Sequence, residues 1–325
     1  MKFCILQTTD PHYNLAVEEY LFNTAQDDVF LLWQNANTVV VGNNQNAYAE
    51  IDMQVLNLNG TKLARRITGG GTVYHDLGNV NYSFISPSAK TDGIDFNYYA
   101  TPIIKALEDL GVKVTLSGRN DLITSSGKKI SGNAQHRLND RVLHHGTLLY
   151  SSDLEFLSKV LTVDSEKLKT KAVKSTRQRV ENIENLIDKK LSVSEFIAHL
   201  EKFILSNYNP EILTVETSAE IEKLYNRNKS IGWLFPEKDF ISKYQTVKKQ
   251  RFDFGLVELN LELKNDTILS LKITGDFFGE KRIEELEGLF KNVKLDSVNS
   301  ALGGVCVSNY ILGITNSEFI ALITK

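Results

Sequence analysis

The chain has 325 residues, which is long for one compact domain and makes two domains the prior expectation. An apolar content of 42% and a charged content of 24% are ordinary for a globular protein, and a net charge of -3 gives no support for a nucleic-acid surface. No apolar run is long enough to span a membrane, and the N-terminus lacks the apolar segment of a secretory signal. The only two cysteines, Cys4 and Cys306, exclude a disulfide framework and predict two buried thiols in a reducing cytoplasm.

The first half of the chain predicts alternating helices and strands. A helix is expected over 14–22, with an apolar face and Asn14 as its N-cap. Residues 42–46 form an uncharged polar loop, and Gly111 should close a later helix as its C-cap. That later helix covers 100–110, and the strands are expected at 29–33, 38–41, 63–66, 72–74, 79–85, 112–116, 121–124, 129–131 and 143–150.

The second half begins with Lys- and Glu-rich helical sequence, including an amphipathic helix over 192–206 with Ser192 or Ser194 as cap. The composition changes again near Tyr244, where we place a domain boundary within 243–250. Beyond it the sequence predicts strands at 252–263, 267–274 and 302–307, a hairpin turn at 275–279 and a helix over 282–290. This pattern describes a small α+β unit.

Two arginines followed by three glycines, Arg65 to Gly71, form the most informative stretch. Three glycines in a row are costly to order, and they suit a place where the main chain must lie against a ligand with no Cβ in the way. The flanking arginines suggest an anionic ligand. A flexible hairpin turn beside two solvated arginines explains the stretch equally well.

A pair of adjacent lysines, Lys128 and Lys129, lies at the start of a predicted strand. Neighbouring strand residues point to opposite faces, so only one of the two should point inward. Ile130 should share a face with Lys128 in a regular strand, and alternation alone therefore leaves the inward lysine open. A lysine in such a run is more often a solvated edge residue.

The adjacent pair His144 and His145 does not have metal-ligand spacing, because neighbouring strand residues cannot both reach one ion. The pair is more typical of one core histidine and one surface histidine. No phosphate-binding loop of the Gly-Lys-Ser/Thr type and no Gly-x-Ser-x-Gly elbow is present, so nucleophilic catalysis by Ser or Cys has little support.

Several of these segments together resemble the lipoate–protein ligase A family of the biotin/lipoate ligase superfamily. The matching stretches are Asn-Leu-Ala-Val-Glu-Glu at 14–19, Gly-Asn-Asn-Gln-Asn at 42–46, the arginine–glycine run at 65–76, Gly-Arg-Asn-Asp at 118–121, Lys-Ile-Ser-Gly-Asn-Ala at 129–134, His-His-Gly-Thr-Leu-Leu at 144–149 and, more weakly, 174–180. Each stretch is weak alone, whereas their joint order and spacing are specific.

The resemblance implies an α+β fold: a large biotin/lipoate-ligase-type catalytic domain over 1–245, with a mixed sheet flanked by helices, and a small α+β accessory domain over 246–325. It implies an enzyme that uses ATP and Mg2+ to adenylate lipoate, and then transfers the lipoyl group from lipoyl-AMP to a lysine of a carrier domain. The carriers would be E2 subunits of 2-oxoacid dehydrogenases or the glycine-cleavage H protein. The enzyme would be a cytoplasmic monomer that binds neither nucleic acid nor membrane.

The resemblance also implies the site residues. It makes Lys129 the catalytic lysine and Asp121 the candidate Mg2+ ligand. The residues implied to bind substrate or adenylate are Arg66, Thr68, Gly69, Gly70, Gly71, His75, Asn120, Asp121, Ser131, Gly132, Ala134, His145, Gly146, Thr147 and Arg177. His75 would orient phosphates or the acceptor amine, or make only a strand-end hydrogen bond. One departure is His136, which stands where some relatives carry an arginine.

Two alternatives remain open from the sequence. An octanoyl or lipoyl transferase of the same fold would use a cysteine nucleophile, but neither Cys4 nor Cys306 lies near Lys129 in sequence. A non-catalytic lipoyl-binding module would not need that lysine. The sequence leaves open which carriers are modified and whether octanoate competes with lipoate.

Overall fold

The computed structural model describes residues 1–117, 120–160, 180–236 and 243–324. Within these ranges the strands are β1 (Lys2–Ile5), β2 (Val29–Trp33), β3 (Thr38–Val41), β4 (Lys62–Arg65), β5 (Val73–His75), β6 (Asn79–Ser86), β7 (Val114–Ser117), β8 (Asp121–Thr124), β9 (Lys129–Leu138), β10 (Arg141–Leu149), β11 (Glu211–Ile212), β12 (Thr246–Phe252), β13 (Gly255–Lys264), β14 (Thr267–Gly275) and β15 (Val293–Lys294). The helices are α1 (Pro11–Thr24), α2 (Ala47–Glu50), α3 (Met53–Leu58), α4 (Phe96–Asp109), α5 (Leu154–Val160), α6 (Val193–Tyr208), α7 (Ala219–Lys229), α8 (Ile231–Leu234), α9 (Ile283–Gly288), α10 (Val298–Leu302) and α11 (Asn316–Thr324).

The strands form three sheets. The largest is mixed, with the order β11-β1-β2-β6-β10-β9-β8-β7; β1 runs parallel to both of its neighbours and the other pairs are antiparallel. A small sheet has the order β4-β3-β5, and an antiparallel sheet has the order β12-β13-β14-β15. The predicted α+β architecture with a mixed sheet flanked by helices is confirmed.

Helices cover both faces of the large sheet. On one face α4 and α6 bury Ile103 and Phe196 against it, and on the other face Ala16 of α1 and Ile221 of α7 enter a second core. Strand β2, Val-Phe-Leu-Leu-Trp, is buried at all five positions, as an apolar run is when a sheet is covered on both sides. Among the described residues, no helix combines the length and apolar character needed to cross a bilayer.

The four-stranded sheet has its own core, to which α9, α10 and α11 contribute. Leu259, Ile273, Leu286 and Phe319 are fully buried in it. We call residues 246–324 the C-terminal unit.

The first helix begins earlier than its apolar pattern predicts, and Asn14 is not its cap. Asp10 caps it by accepting hydrogen bonds from the backbone of His12 and Tyr13, with Pro11 in the first turn. Asn14 is instead buried inside the helix, and its amide donates to the side-chain oxygen of Asn35 at 3.0 Å.

The strands at 29–33 and 38–41 lie where they were predicted, and most other strands are shifted by one or two residues. Strands β4 and β5 flank the glycine run, but they do not pair with each other. Both pair with β3, one on each side. The glycine run is therefore a crossover between the two edges of the small sheet, which rules out the hairpin interpretation.

Three predictions for the C-terminal unit are wrong. The strand expected over 302–307 is absent: α10 ends at Leu302 and is followed by Gly303 and Gly304, both at positive φ. The hairpin expected at 275–279 is also absent, because β14 ends at Gly275 and the chain continues towards α9. Cys306 is exposed, not buried.

Candidate active site

A pocket opens on the α1 face of the large sheet, between that sheet and the small sheet. It is lined by apolar, polar and cationic side chains, namely Leu15, Trp33, Val40, Arg66, Gly71, Thr72, Val73, His75, Asn81, Asn120, Lys129, Gly132, Asn133, Ala134, His145, Gly146 and Thr147. Ten of the sixteen predicted binding or catalytic positions are in this set. The pattern of strand pairing explains how positions far apart in sequence meet here.

One row of residues crosses the floor of the pocket. Trp33 pairs with Asn81 and Asn81 with Thr147, while Gly132 pairs with Asp121. Thr147 joins the two halves, since its hydroxyl accepts the backbone N–H of Gly132 at 3.1 Å. Paired residues share a sheet face and neighbouring strands lie about 4.8 Å apart, so the row spans about 19 Å.

Lys129 stands at one end of this row. Its ammonium lies 2.7 Å from a carboxylate oxygen of Asp121. It also lies over Gly132, where a Cβ would come within 2.9 Å of the Lys129 nitrogen, so a side chain at that position would displace the cation. Lys128 points elsewhere and pairs with Glu181 at 3.2 Å.

A bulge in β9 decides which lysine faces the pocket. Strand β9 advances two residues, from Lys129 to Ser131, while β8 advances only one, from Ile123 to Leu122. The extra residue interrupts the alternation of side chains, as bulges do. Lys129 can therefore share the Gly132 face, which regular alternation did not allow.

The guanidinium of Arg66 holds the glycine run in shape. It donates to the carbonyls of Gly69 and Gly71 at 2.7 and 2.8 Å, to the hydroxyl of Thr68 at 2.9 Å and to the carbonyl of Val40 at 3.2 Å. Burial lowers the pKa of Arg66 to about 10 although nearby Glu18 opposes the change, so the group remains a cation at neutral pH.

The three glycines serve different neighbours. A Cβ on Gly69 would lie 2.4 Å from the backbone oxygen of Phe277, and one on Gly70 would lie 2.8 Å from the ring of Phe278. Both clashes are with the C-terminal unit. A Cβ on Gly71 would meet nothing within 4 Å, and Gly71 faces the pocket.

A buried chain of hydrogen bonds connects α1 to the glycine run. Arg66 donates to Thr68, whose hydroxyl lies 2.9 Å from Nε2 of His145, and Nδ1 of His145 lies 2.9 Å from the carboxylate of Glu18. A carboxylate only accepts, so Nδ1 of His145 donates to Glu18, while Nε2 makes the hydrogen bond with the Thr68 hydroxyl. Ser83 also donates to Glu18.

Both histidines of the adjacent pair are buried, which corrects the expectation of one surface histidine. His145 faces the pocket, whereas His144 packs on the opposite face among Tyr82, Phe96 and Tyr99. Burial, with a smaller effect of His145, lowers the pKa of His144 to about 3, so this ring is neutral.

His75 lies at the Trp33 end of the pocket. Its ring meets that of Trp33 edge to face, with centroids 6.1 Å apart, and its Nδ1 lies 3.1 Å from the side-chain nitrogen of Asn35. Burial, and then the charges of Arg66 and His145, lower the pKa of His75 to about 3. The predicted strand-end hydrogen bond is thus present, and the ring is neutral.

The remaining predicted positions lie around the pocket or outside it. Thr68 and Asp121 bind residues that line it, as described above. Ser131 is fully buried, and its hydroxyl has no partner among the described residues. Arg177 lies outside the described residues, as do the neighbours of Asn120 at 118–119.

Sequence reasoning missed several pocket residues, notably Trp33, Asn81 and Asn133, and also Glu18, which lies behind the pocket on His145. Glu18 had a signal, because it is a carboxylate on the buried face of an apolar helix. Asn133 had none: its side-chain amide donates to the backbone carbonyl of Asn120, and the side-chain amide of Asn120 donates to the backbone carbonyl of Asn133, a pairing that only the fold reveals.

The fold is that of the catalytic domains of enzymes that attach lipoyl groups to proteins. Residues 10–205 match the family model of the lipoyl protein ligase A/B catalytic domain, and residues 242–323 match that of the bacterial lipoate protein ligase C-terminus. The chain is 35% identical over 322 residues to lipoate-protein ligase LplJ of Bacillus subtilis (strain 168), with 97% of each chain covered. The chain belongs to the lipoate–protein ligase family.

Solved structures agree with this assignment. The structure of P. falciparum LipL1 in complex with lipoate is 25% identical, with a TM-score of 0.80 over 99% of this chain and 98% of that one. A bi-partite lipoate protein ligase from Thermoplasma acidophilum, studied with its E2 lipoyl domain, is 28% identical, with a TM-score of 0.64 over 72% and 95%. A lipoate-protein ligase A bound with ATP is 25% identical, with a TM-score of 0.59 over 72% and 98%.

Proposed function

We propose that this lipoate–protein ligase adenylates lipoate with ATP beside Lys129, and then transfers the lipoyl group to a lysine of a lipoyl carrier domain. The observation that carries the proposal is the ammonium of Lys129 at the end of a pocket bordered by the glycine run. Relatives solved with lipoate and with ATP support the two substrates.

In the first step a carboxylate oxygen of lipoate attacks the α-phosphorus of ATP, and the bond from that phosphorus to the pyrophosphate oxygen breaks. Two anions must approach each other. The compact cation of Lys129 would attract both and stabilise the negative charge that develops between them. Its contact with Asp121 fixes its position before the substrates bind.

The other proposed residues would bind and orient the substrates. Gly71 would leave room for the acyl chain against the main chain, and Arg66 with Thr68 would keep that main chain in place. Asn120 and Thr147 lie near Lys129 along the floor. Residues proposed to complete the pocket are Gly69, Gly70, His75, Ser131, Gly132, Ala134, His145 and Gly146, and Arg177 is proposed to contact the adenylate.

Mg2+ fits the site as the companion of a nucleotide. Asp121 is a carboxylate at the mouth of the pocket, and magnesium is often held by one or two carboxylates together with substrate phosphates. Bound there, the ion would neutralise phosphate charge. No group of three or more candidate metal ligands occurs within the described ranges, which suits an ion that arrives with ATP and not a dedicated protein site.

In the second step the amine of a carrier lysine attacks the acyl carbon of lipoyl-AMP, and AMP leaves. Free lysine has a pKa of about 10.4, so the acceptor must lose a proton before it attacks. We propose E2 subunits of 2-oxoacid dehydrogenases and the glycine-cleavage H protein as carriers. The Thermoplasma acidophilum ligase, which was studied with its E2 lipoyl domain, supports the first of these.

We further propose that residues 1–245 form the catalytic domain, that residues 246–325 form an accessory domain, and that the enzyme acts as a monomer in the cytoplasm. The separate apolar core of the C-terminal unit supports this division. Sedimentation of the purified protein would test the monomer.

Pyrophosphate release from ATP, Mg2+ and lipoate tests the first step. We expect Lys129→Ala to lower kcat/KM by at least about a thousandfold, because it removes the charge that acts on the transition state. Lys128→Ala is the matched control, since Lys128 pairs with Glu181 away from the pocket. Equal rates in the two variants would remove Lys129 from the mechanism.

Intact mass of purified E2 and H-protein domains after incubation tests the second step. Addition of a lipoyl group that requires ATP supports the ligase. Transfer from an acylated carrier without ATP would instead identify a transferase.

A further inference from the structure

Two buried nitrogen atoms at the Trp33 end of the pocket have no hydrogen-bond partner among the described residues. They are Nε2 of His75 and Nδ2 of Asn81. Both side chains line the pocket, and their residues are only 4% and 1% exposed. A buried polar group without a partner is costly, so two of them on side chains that line one cavity indicate a ligand that uses them.

Both atoms are hydrogen-bond donors. The oxygen of Asn81 accepts from Asn79 at 2.9 Å, which leaves the Asn81 NH2 group as the end of the amide without a partner among the described residues. The oxygen of Asn35 accepts from Asn14, so the NH2 group of Asn35 faces Nδ1 of His75. An NH2 group can only donate, and the neutral His75 ring therefore carries its hydrogen on Nε2.

The spacing between paired strands gives the distance from these donors to the Lys129 end of the pocket. Asn81 is two strands from Gly132, over which the ammonium of Lys129 lies. Two strand spacings are about 10 Å. Trp33 is one strand beyond Asn81, and Leu15, Val40 and Val73 supply apolar walls between. An eight-carbon acid with its carboxylate at Lys129 would place the far end of its chain near the two donors.

We propose that His75 and Asn81 select lipoate by the sulfur atoms of its ring, and so discriminate against acids with a plain hydrocarbon end. The inference rests on the proposed function, and the feature of the substrate that it concerns is the sulfur-containing ring. Ring sulfurs offer lone pairs as weak acceptors, and they are polarisable enough to pack favourably beside Trp33. A hydrocarbon end offers no acceptor and would leave both donors unpaired.

Three acids separate shape from hydrogen bonding: lipoate, 5-cyclopentylpentanoate, which has the same ring size and chain but no sulfur, and octanoate. Calorimetry of each acid without ATP gives the dissociation constant, and pyrophosphate release with ATP gives kcat/KM. We expect the wild-type protein to prefer lipoate over the cyclopentyl acid by about tenfold in both measurements. Asn81→Leu, which is close in size but has no donor, should reduce that preference to about twofold or less.

Val73→Ala is the matched control, because it changes the pocket wall and removes no donor. It should alter binding of lipoate and of the cyclopentyl acid by similar factors. His75→Phe keeps the ring beside Trp33 and removes the second donor, so it gives an independent test should Asn81→Leu fail to fold by circular dichroism.

Equal wild-type affinity for lipoate and the cyclopentyl acid would overturn the inference, as would an unchanged preference in the folded Asn81→Leu and His75→Phe variants. The proposed function fails separately: it is contradicted if no acid supports pyrophosphate release, whatever the calorimetric preference among the acids.

Discussion

The two sides of the glycine run need glycine for different reasons. On the side of the C-terminal unit, Gly69 and Gly70 allow backbone contact: the N–H of Gly70 donates to the carbonyl of Phe277 at 3.2 Å. On the pocket side, Gly71 adjoins open space. Arg66 donates to the carbonyl of Gly71 and to the hydroxyl of Thr68, which keeps the main chain in place. Close packing explains the first two glycines, whereas room for a ligand explains the third.

The polar groups near the two sides of the glycine run also differ. The chain from Arg66 through Thr68 and His145 to Glu18 is buried, and each donor meets an acceptor. On the other side Glu50 lies near two carboxylates of the C-terminal unit, Asp276 and Glu258. The buried polar groups on the pocket side therefore have hydrogen-bond partners, whereas the side that contacts the C-terminal unit includes carboxylates that repel one another. One loop thus combines satisfied polar groups on its ligand side with close backbone packing and a nearby repulsion between carboxylates on the side of its neighbouring unit.

Among the substitutions that test this comparison, Glu18→Leu is expected to lower the free energy of unfolding most. The substitution leaves Nδ1 of His145 and the hydroxyl of Ser83 without their acceptor in a buried site. Each buried donor that is left without an acceptor typically costs about 1–3 kcal/mol. Denaturant unfolding should show a loss of this order, and Glu18→Gln, which keeps an acceptor oxygen, should lose less. A loss below about 0.5 kcal/mol, as at an ordinary surface site, would contradict the proposed role of the chain.

Two alanine substitutions in the glycine run are expected to have effects of intermediate size, and they test the two sides separately. Gly69→Ala forces its Cβ against the carbonyl of Phe277, and overpacking of this kind costs about 1–3 kcal/mol. Gly71→Ala meets no neighbour, so its stability should stay within about 0.5 kcal/mol of wild type while lipoate binding weakens. Thermal unfolding and calorimetry with lipoate measure the two effects. The same stability loss in both variants would remove the distinction between the two sides.

The smallest effect is expected from Glu50→Gln, and it should depend on pH. Burial and nearby Asp276 raise the pKa of Glu50 from 4.5 to about 7, although Gln45 and Arg251 oppose the change. The folded protein holds this proton more tightly than the unfolded chain does. Stability therefore falls as pH rises from about 4.5 to about 7, and the cost is fully present above that range. Glu50→Gln should recover on the order of 1 kcal/mol at pH 8 and nothing at pH 4.

A glutamate of opposite behaviour provides the control for that measurement. The backbone and hydroxyl of Ser192 donate to Glu195 and lower its pKa, so its contribution is present above the unfolded pKa and is lost at lower pH. Glu195→Gln should therefore destabilise the protein at pH 8, opposite in sign to Glu50→Gln. Stabilisation by Glu50→Gln that is equal at pH 4 and pH 8 would contradict the assigned cause.

Much of the fold could be predicted because its signals are local. The apolar run at Val29–Trp33 predicts a strand covered on both faces, and Ser192 followed by Glu195 predicts the start of α6. The C-terminal unit was harder. Its strand expected at 302–307 rested on apolar residues that belong to a helix end and a tight turn, where Gly303 and Gly304 override their preference.

The candidate site divides in the same way. The glycine run stands out by residue type, whereas Lys129 and His145 were nominated only by the family resemblance. Alternation could not tell Lys129 from Lys128, because a bulge of one residue reverses the faces of a strand and leaves little trace in composition.

By itself, the sequence determined most of the helices and strands, through periodicity, and the motifs whose order and spacing resemble the lipoate–protein ligase A family. That resemblance then implied the fold class and the charged residues near the pocket. Only the tertiary structure decided that Trp33, Asn81, Thr147, Gly132 and Asp121 form one row, and that Phe277 and Phe278 press on the glycine run. Strand pairing and packing join residues that are distant in the chain, and the energy of each such contact depends on both partners. No local pattern encodes that pairing.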